Sequence, residues 1–209
     1  MAIEKLAPME IERRSLEIIT RELGSRELAP ENAAVIKRVI HTTADFDYAD
    51  NLAFSPNAVA RGLDALRGGA RIVTDTTMAL SGISKPALRE LNCEVRCYIA
   101  DADVAETAKL DGTTRADVSM RRAAEDGATI YVVGNAPTAL IALHRLIAEG
   151  KAAPSLVVGV PVGFVNVVEA KELFIGGATP YIIARGRKGG SNVAAAIVNA
   201  LLYQLVARA

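Results

Sequence analysis

Five short apolar runs constrain this chain most: Arg71-Ile72-Val73-Thr74, Glu94-Val95-Arg96-Cys97-Tyr98-Ile99, Ile130-Tyr131-Val132-Val133, Leu156-Val157-Val158-Gly159-Val160 and Tyr181-Ile182-Ile183-Ala184. Most are near-continuous in apolar residues rather than alternating, the pattern of parallel strands buried on both faces. The stretches between them carry helix punctuation, as where Pro137 opens a segment after Gly134-Asn135 and Gly150 closes it. Strands and helices in alternation predict a parallel sheet with crossover helices on both faces. The 70 residues ahead of Arg71 read instead as helices, near residues 9–23, 30–43 and 55–66, without a strand. The expected fold is therefore three-layer α/β: a mostly parallel five-stranded sheet, helices on both faces, and an N-terminal helical region that caps a site or forms a dimer surface. A chain of 209 residues suits one domain spanning residues 1–209.

Composition agrees and narrows the partners. Half the chain (51%) is hydrophobic and only 4% aromatic, the Ala, Val, Ile and Leu mixture of helices on a buried sheet. Lys plus Arg (24) balance Asp plus Glu (24), with no basic tail, which argues against nucleic acid. Met1-Ala2-Ile3-Glu4-Lys5 lacks the apolar core of a secretion signal, so a cytoplasmic location is expected. Residues 189–207 carry no charge, but Ser191, Asn192, Asn199 and Gln204 interrupt them; a buried or subunit-facing helix is expected rather than a membrane span. Cys93 and Cys97 flank a strand and stand about 13 Å apart if extended, too far for a disulfide. Two Cys and two His at unrelated spacings form no recognisable metal cage, and no cofactor is expected.

In an open parallel sheet, ligands bind beyond the carboxyl ends of the strands. Polar loops follow each run: Asp75-Thr76-Thr77, Asp101-Ala102-Asp103, Gly134-Asn135, Pro161-Val162-Gly163 and Arg185-Gly186-Arg187-Lys188. The last of these leads through Gly189-Gly190-Ser191-Asn192 into the uncharged helix, so three cations, flexible backbone and a helix N-terminus fall together. That combination suits carboxylates or phosphates, and equally a solubilising basic loop.

His41 is the most informative single residue. On a helix over residues 30–43, Ala33, Val35, Ile36, Val39 and Ile40 share one side and His41 lies opposite, next to Arg38 three residues back. An imidazole with a pKa near 6.5 can give or take a proton at neutral pH, although this pattern describes a solvated surface histidine equally well. Asp45 would stand one turn on if the helix continued, placed to orient the ring. In the first helix, Ile11, Ile18, Ile19 and Leu23 form an apolar stripe that contains Ser15 and is flanked by Arg13 and Arg14. That hydroxyl either bonds back to its own helix or faces a ligand. Further candidates for anion contacts are Ser84 and Lys85 in Ser81-Gly82-Ile83-Ser84-Lys85, and Arg115, Arg121 and Arg122.

Absent motifs exclude much. No G-x-G-x-x-G follows the first strand, and neither G-x-x-x-x-G-K-[ST] nor G-x-S-x-G occurs, against a Rossmann dehydrogenase, a P-loop NTPase and a serine hydrolase. Physical reading alone reaches a binder or isomerase of a small anionic molecule.

Six motifs take it further. Ile11-Glu12-Arg13-Arg14-Ser15, Arg38-Val39-Ile40-His41-Thr42-Thr43-Ala44-Asp45, Val73-Thr74-Asp75-Thr76-Thr77-Met78, Gly134-Asn135-Ala136-Pro137-Thr138-Ala139-Leu140, Gly159-Val160-Pro161-Val162-Gly163-Phe164-Val165 and Arg185-Gly186-Arg187-Lys188-Gly189-Gly190-Ser191 occur in this order. Together they resemble the precorrin-8X (cobalt-precorrin-8) methylmutases over nearly the whole chain. The resemblance implies an isomerase that moves a methyl group from C11 to C12 of a tetrapyrrole during cobalamin (vitamin B12) biosynthesis, giving hydrogenobyrinate or cobyrinate. It implies a homodimer with active sites near the subunit interface, His41 as proton donor or acceptor, and Ser15 and Arg38 as substrate contacts. Arg14, Ser84, Lys85, Arg115, Arg187 and Lys188 are further candidates, by charge and position, to hold the substrate's acetate and propionate arms. Two other readings fit the same basic residues: a non-catalytic tetrapyrrole carrier, and a sugar-phosphate isomerase using the 185–192 loop for phosphate.

Overall fold

The computed structural model describes residues 7–207; residues 1–5, where a secretion signal was sought, lie outside them. The chain opens with α1 (Pro8–Leu23), α2 (Pro30–Thr43), the single turn α3 (Tyr48–Asn51), β1 (Leu52–Phe54) and α4 (Ala58–Arg67). It continues through β2 (Arg71–Thr74), α5 (Thr77–Gly82), α6 (Lys85–Glu90), β3 (Glu94–Arg96), α7 (Ala102–Leu110), α8 (Arg115–Glu125), β4 (Ile130–Val133) and α9 (Pro137–Ala148). It closes with β5 (Leu156–Gly159), α10 (Val167–Glu172), β6 (Tyr181–Ala184) and α11 (Ser191–Leu202).

One sheet of six strands runs in the order β1-β6-β5-β4-β2-β3. All five expected strands form and pair in parallel. The second of them, β3, is shorter than expected: it stops at Arg96, and Tyr98 begins a turn closed by the Asp101 N–H on its carbonyl at 3.0 Å. The sixth strand corrects the expectation of a strand-free N-terminal region. Leu52–Phe54 pairs antiparallel with β6, in the register Leu52↔Ala184, Ala53↔Ile183 and Phe54↔Ile182.

Side chains alternate across the strands as the pleat requires. Ile72, Ile130, Val132, Leu156, Val158, Ile182 and Ala184 face one core, built with α2, α4, α6 and α11. Val73, Tyr131, Val133, Val157, Tyr181 and Ile183 face a second, built with α7, α8, α9 and α10. Helices on both faces make the three layers expected. The uncharged C-terminal segment is a buried helix: Val193–Val198 and Ala200–Leu202 are closed off from solvent between α2, α4 and α5.

Two of the polar loops at the carboxyl ends serve each other. The buried carboxylate of Asp75, after β2, accepts N–H bonds from Gly134 (2.8 Å), Asn135 (2.8 Å) and Ala136 (2.7 Å) at the start of α9. Burial raises its pKa, and those three donors oppose the rise. Gly134 also lets α11 approach, since a Cβ there would stand 2.7 Å from the Ser191 Cα. These loops join β2, α9 and α11 at the sheet's carboxyl end.

Candidate active site

α2 has the polarity the sequence implied, with Val35, Ile36, Val39 and Ile40 buried and His41 exposed. A left-handed Ala44 ends the helix, its N–H returning to the Ile40 carbonyl at 2.7 Å. Because of that stop, Asp45 does not reach the position expected of it. It accepts the Asp47 N–H at 3.0 Å and receives the Lys188 ammonium at 2.6 Å, so it orients a turn rather than the imidazole. Among the described residues, no protein group hydrogen-bonds the His41 ring. Burial lowers its pKa below 6.5, and the neighbouring Arg38 charge lowers it further.

His41 and Ser15 line one recess of about 260 Å³, walled also by Ile18, Ile19, Glu22, Ile40, Ala44 and Phe46. The structure thus brings two sequence candidates together from different helices. Ser15 donates to the Ile11 carbonyl at 2.8 Å, the back-bond to its own helix. The apolar stripe expected on α1 divides: Ile19 and Leu23 enter the core, while Ile11 is 52% and Ile18 36% exposed beside the recess. α1 therefore docks by one edge of its stripe and leaves the other uncovered.

Arg38 stands on the shoulder of this recess, mostly buried. It pairs with Glu12 of α1 at 2.5 Å and stacks over the Tyr203 ring at 5.5 Å. Burial pulls its pKa down, and Tyr203 opposes that. Arg14, one helical step from Ser15, is exposed on α1. Ser84 and Lys85 lie at a different flank of α11. Ser84 caps α6, and its N–H donates to the Asn199 side chain at 2.8 Å, one turn before Tyr203. The partly buried Lys85 ammonium donates to the Leu80 carbonyl, and burial lowers its pKa. Arg115 opens α8 in the opposite layer, exposed and apart from the His41 recess.

The loop after β6 changes most against expectation, because its cations are partnered within the chain. Arg185 forms a two-point ion pair with Glu172 of α10 (2.9 and 2.7 Å). Arg187 stacks over the exposed Phe164 ring at 5.4 Å. Lys188 joins Asp45 (2.6 Å) and Asp47 (2.7 Å) beyond the end of α2, which drives its pKa well above that of a free lysine. The loop is therefore a strut between α10 and the His41 helix as well as a set of charges.

One participant gave no signal in the sequence. Lys171 is fully buried on α10, its ammonium donating to the Gly186 carbonyl at 2.8 Å and the Lys188 carbonyl at 2.9 Å. In Val167-Val168-Glu169-Ala170-Lys171-Glu172 it reads as an ordinary solvent-facing lysine.

Larger recesses lie elsewhere. One of about 330 Å³ along β2 and β3 is lined by Arg71, Glu94, Arg96, Tyr98 and Asp126, whose charges are largely satisfied by Arg96–Glu94 and Tyr98–Asp126 contacts. None of the sequence candidates lines it. Both cysteines are free, and among the described residues no group of three or more His, Cys, Asp or Glu is placed to hold a metal ion. Among them too, no helix is long and apolar enough to cross a membrane.

Comparison with known proteins matches this arrangement to one family. The family model for precorrin-8X methylmutase matches residues 10–204. A cobalt-precorrin-8 methylmutase of Salmonella typhimurium is 51% identical over 95% of this chain and 96% of its own length. One of Priestia megaterium is 44% identical over 93% of this chain and 87% of its own length. The crystal structure of a precorrin-8X methyl mutase from Thermus thermophilus superposes with a TM-score of 0.87 at 42% identity, covering 93% of this chain and 94% of that one. The motifs around Ser15, His41 and the 185–191 loop, the α/β frame and these matches agree: the chain belongs to the precorrin-8X methylmutase family and is, with it, an isomerase of cobalamin biosynthesis.

Proposed function

We propose that the protein, acting as one domain over residues 1–209, moves the methyl group of (cobalt-)precorrin-8 from C11 to C12, with His41 handling the proton that eases the shift. The observation that carries the assignment to His41 is its placement: an exposed imidazole with no hydrogen-bond partner among the described residues, facing the recess it shares with Ser15, beside the Arg38 cation. Protonation of the conjugated macrocycle by the imidazolium makes the π-system electron-poor. The methyl group then migrates to the adjacent carbon with its bonding electrons, and the neutral imidazole takes a proton back. Bonds and electrons balance without an external oxidant or reductant. The names of the two relatives above favour the cobalt-bearing substrate, whose metal travels within the macrocycle.

The remaining demand is to hold a many-armed anion in one pose. Arg38, three residues before His41, and Lys188, paired with Asp45 beyond the end of α2, suit the substrate's carboxylates, each already carrying a carboxylate partner that a substrate arm would displace or share. Arg14, Arg187, Lys85 with Ser84, and Arg115 extend this role to more distant arms. A recess of about 260 Å³ falls below the roughly 300–1,000 Å³ usual for drug-sized ligands. It is one wall of a macrocycle site, and a second copy of the chain supplies the other. The exposed Ile11 and Ile18 beside it support that homodimer. The cytoplasm is the proposed location.

His41→Ala tests the assignment. Its kcat should fall by about 10²–10⁴-fold, the usual share of a positioned acid or base. Binding of the product, titrated by visible absorption whose bands also report cobalt, should stay within about twofold. A variant with the wild-type rate would remove His41 from the reaction. Unaltered product binding with no turnover by the wild type would point to a carrier instead.

A further inference from the structure

We propose that Lys171 is a positioning residue for the substrate's carboxylates: its buried ammonium fixes the main chain of residues 186–188 and so aims the Lys188 side chain at the rim of the His41 recess. The inference rests on the tetrapyrrole reading above for its substrate, and on geometry alone for the clamp.

The loop cannot hold this shape unaided. Gly186, Gly189 and Gly190 all have positive φ (76°, 159° and 133°), and a Cβ at Gly189 would stand 2.1 Å from the Val160 carbonyl oxygen. Glycine permits that path, and it leaves the free chain more conformers to lose than any other residue. Three successive carbonyls are nevertheless held. Those of Gly186 and Lys188 receive the Lys171 ammonium at 2.8 and 2.9 Å, and that of Arg187 receives the Gly163 N–H at 3.2 Å. The Gly190 N–H closes the far end on the Val160 carbonyl at 2.8 Å. With both flanks of residue 188 pinned, its side chain extends to Asp45 and Asp47 at 2.6 and 2.7 Å, four and six residues past His41.

Core stability does not account for a lysine here. Lys171 has no exposed surface, and among the described residues no carboxylate pairs with it, so the ammonium carries its desolvation cost against two carbonyls. Burial lowers its pKa to about 8, which leaves it mostly charged at neutral pH. A methionine of similar length would fill the space at no such cost. The charge is retained where the loop's carbonyls converge, on the same short helix whose Glu172 grips Arg185 at the loop's other end.

Lys171→Met and Lys171→Gln test the proposal in the full-length protein. Hydrogen exchange reads the clamp without any substrate. The Gly163 and Gly190 amides should lose protection by about tenfold or more in Lys171→Met, while α9 and α11 core amides keep theirs. With cobalt-precorrin-8 as substrate, KM should rise about ten- to a hundredfold, the range for losing a charge-assisted contact, and kcat should change less than about threefold. Lys171→Gln, which keeps N–H donors at a shorter reach, should recover part of the loss. Adding Lys188→Met to Lys171→Met should raise KM no more than about twofold beyond the larger single effect, since both act on one contact. A merely structural lysine gives the opposite split, with fewer active molecules and an unchanged KM. Protection retained at Gly163 and Gly190, an unchanged KM, additive effects, or failure of both variants to fold would each overturn the proposal. Loss of protection in the variants, with a wild type that does not convert the macrocycle, would uphold the clamp and sink the functional reading alone.

Discussion

The two sides of the candidate site are held in place by opposite means. His41 projects from the polar face of a regular helix, exposed and without a hydrogen-bonded partner among the described residues, and needs little else to fix it. A helix sets the spacing of its side chains by its own backbone bonds, so a proton-handling ring can be left open to a substrate. The loop from Arg185 to Gly190 has no such internal ladder. Its glycines require a buried ammonium, a two-point ion pair and two main-chain bonds to other loops to define one path. Reacting groups can therefore stay unencumbered, whereas irregular backbone that must present charge in one place needs support from behind.

The largest expected effect that would break this comparison comes from the loop. Gly189→Ala places a methyl group against the Val160 carbonyl and should destabilise the fold by about 3 kcal/mol or more, read from the urea midpoint. A change under about 0.5 kcal/mol would mean the loop relaxes easily and needs no clamp. Arg38→Met follows. Its cost should appear as a KM raised about tenfold or more through lost carboxylate contact, with kcat largely kept. Loss of kcat instead would move Arg38 from holding the substrate to assisting His41. The smallest effect is the pH profile. His41 has a lowered pKa, so as an acid it is charged only at the low end, and kcat/KM should fall as pH rises through a value below 6.5. Bound carboxylates offset the Arg38 charge, so the corresponding limb in kcat should lie higher. A kcat/KM that rises through this range would give His41 the role of base in the first step.

Much of the frame was legible because four of the five parallel strands are written as largely apolar runs, buried on both faces, while the exposed edge strand Glu94–Arg96 was readable from its neighbours Cys97 to Ile99 as well as from Val95. Leu52–Phe54 was not. It is three residues long, lies directly after a helical turn, and takes its strand geometry from β6 rather than from its own pattern. On α2 the helical wheel placed His41 on the open face, since four buried aliphatic residues fix the helix's rotation. Periodicity within one helix carries no information about partners on others. The Glu12 that holds Arg38, the Asp45 and Asp47 that hold Lys188, and the split of α1's stripe at Ile11 and Ile18 all depend on tertiary placement. Lys171 was hidden for a stronger reason: lysine is the residue least expected in an interior, and the neighbours that justify it are backbone carbonyls 15 and 17 residues away.

The pairing of β1 with β6 has a consequence for the making of the protein. A chain emerging from the ribosome presents α1, α2 and β1 early, but their partners β6 and α11 are the last elements out. Until then the aliphatic face of α2 lacks its main cover and the edge of β1 has no neighbour, the exposed state in which nascent chains most need chaperones. The charged arm that reaches toward His41 is also synthesised last. A product lacking residues beyond 180 therefore retains His41 but has neither β6, which pairs with β1, nor the Lys188 that ties down Asp45 and Asp47 past the end of α2.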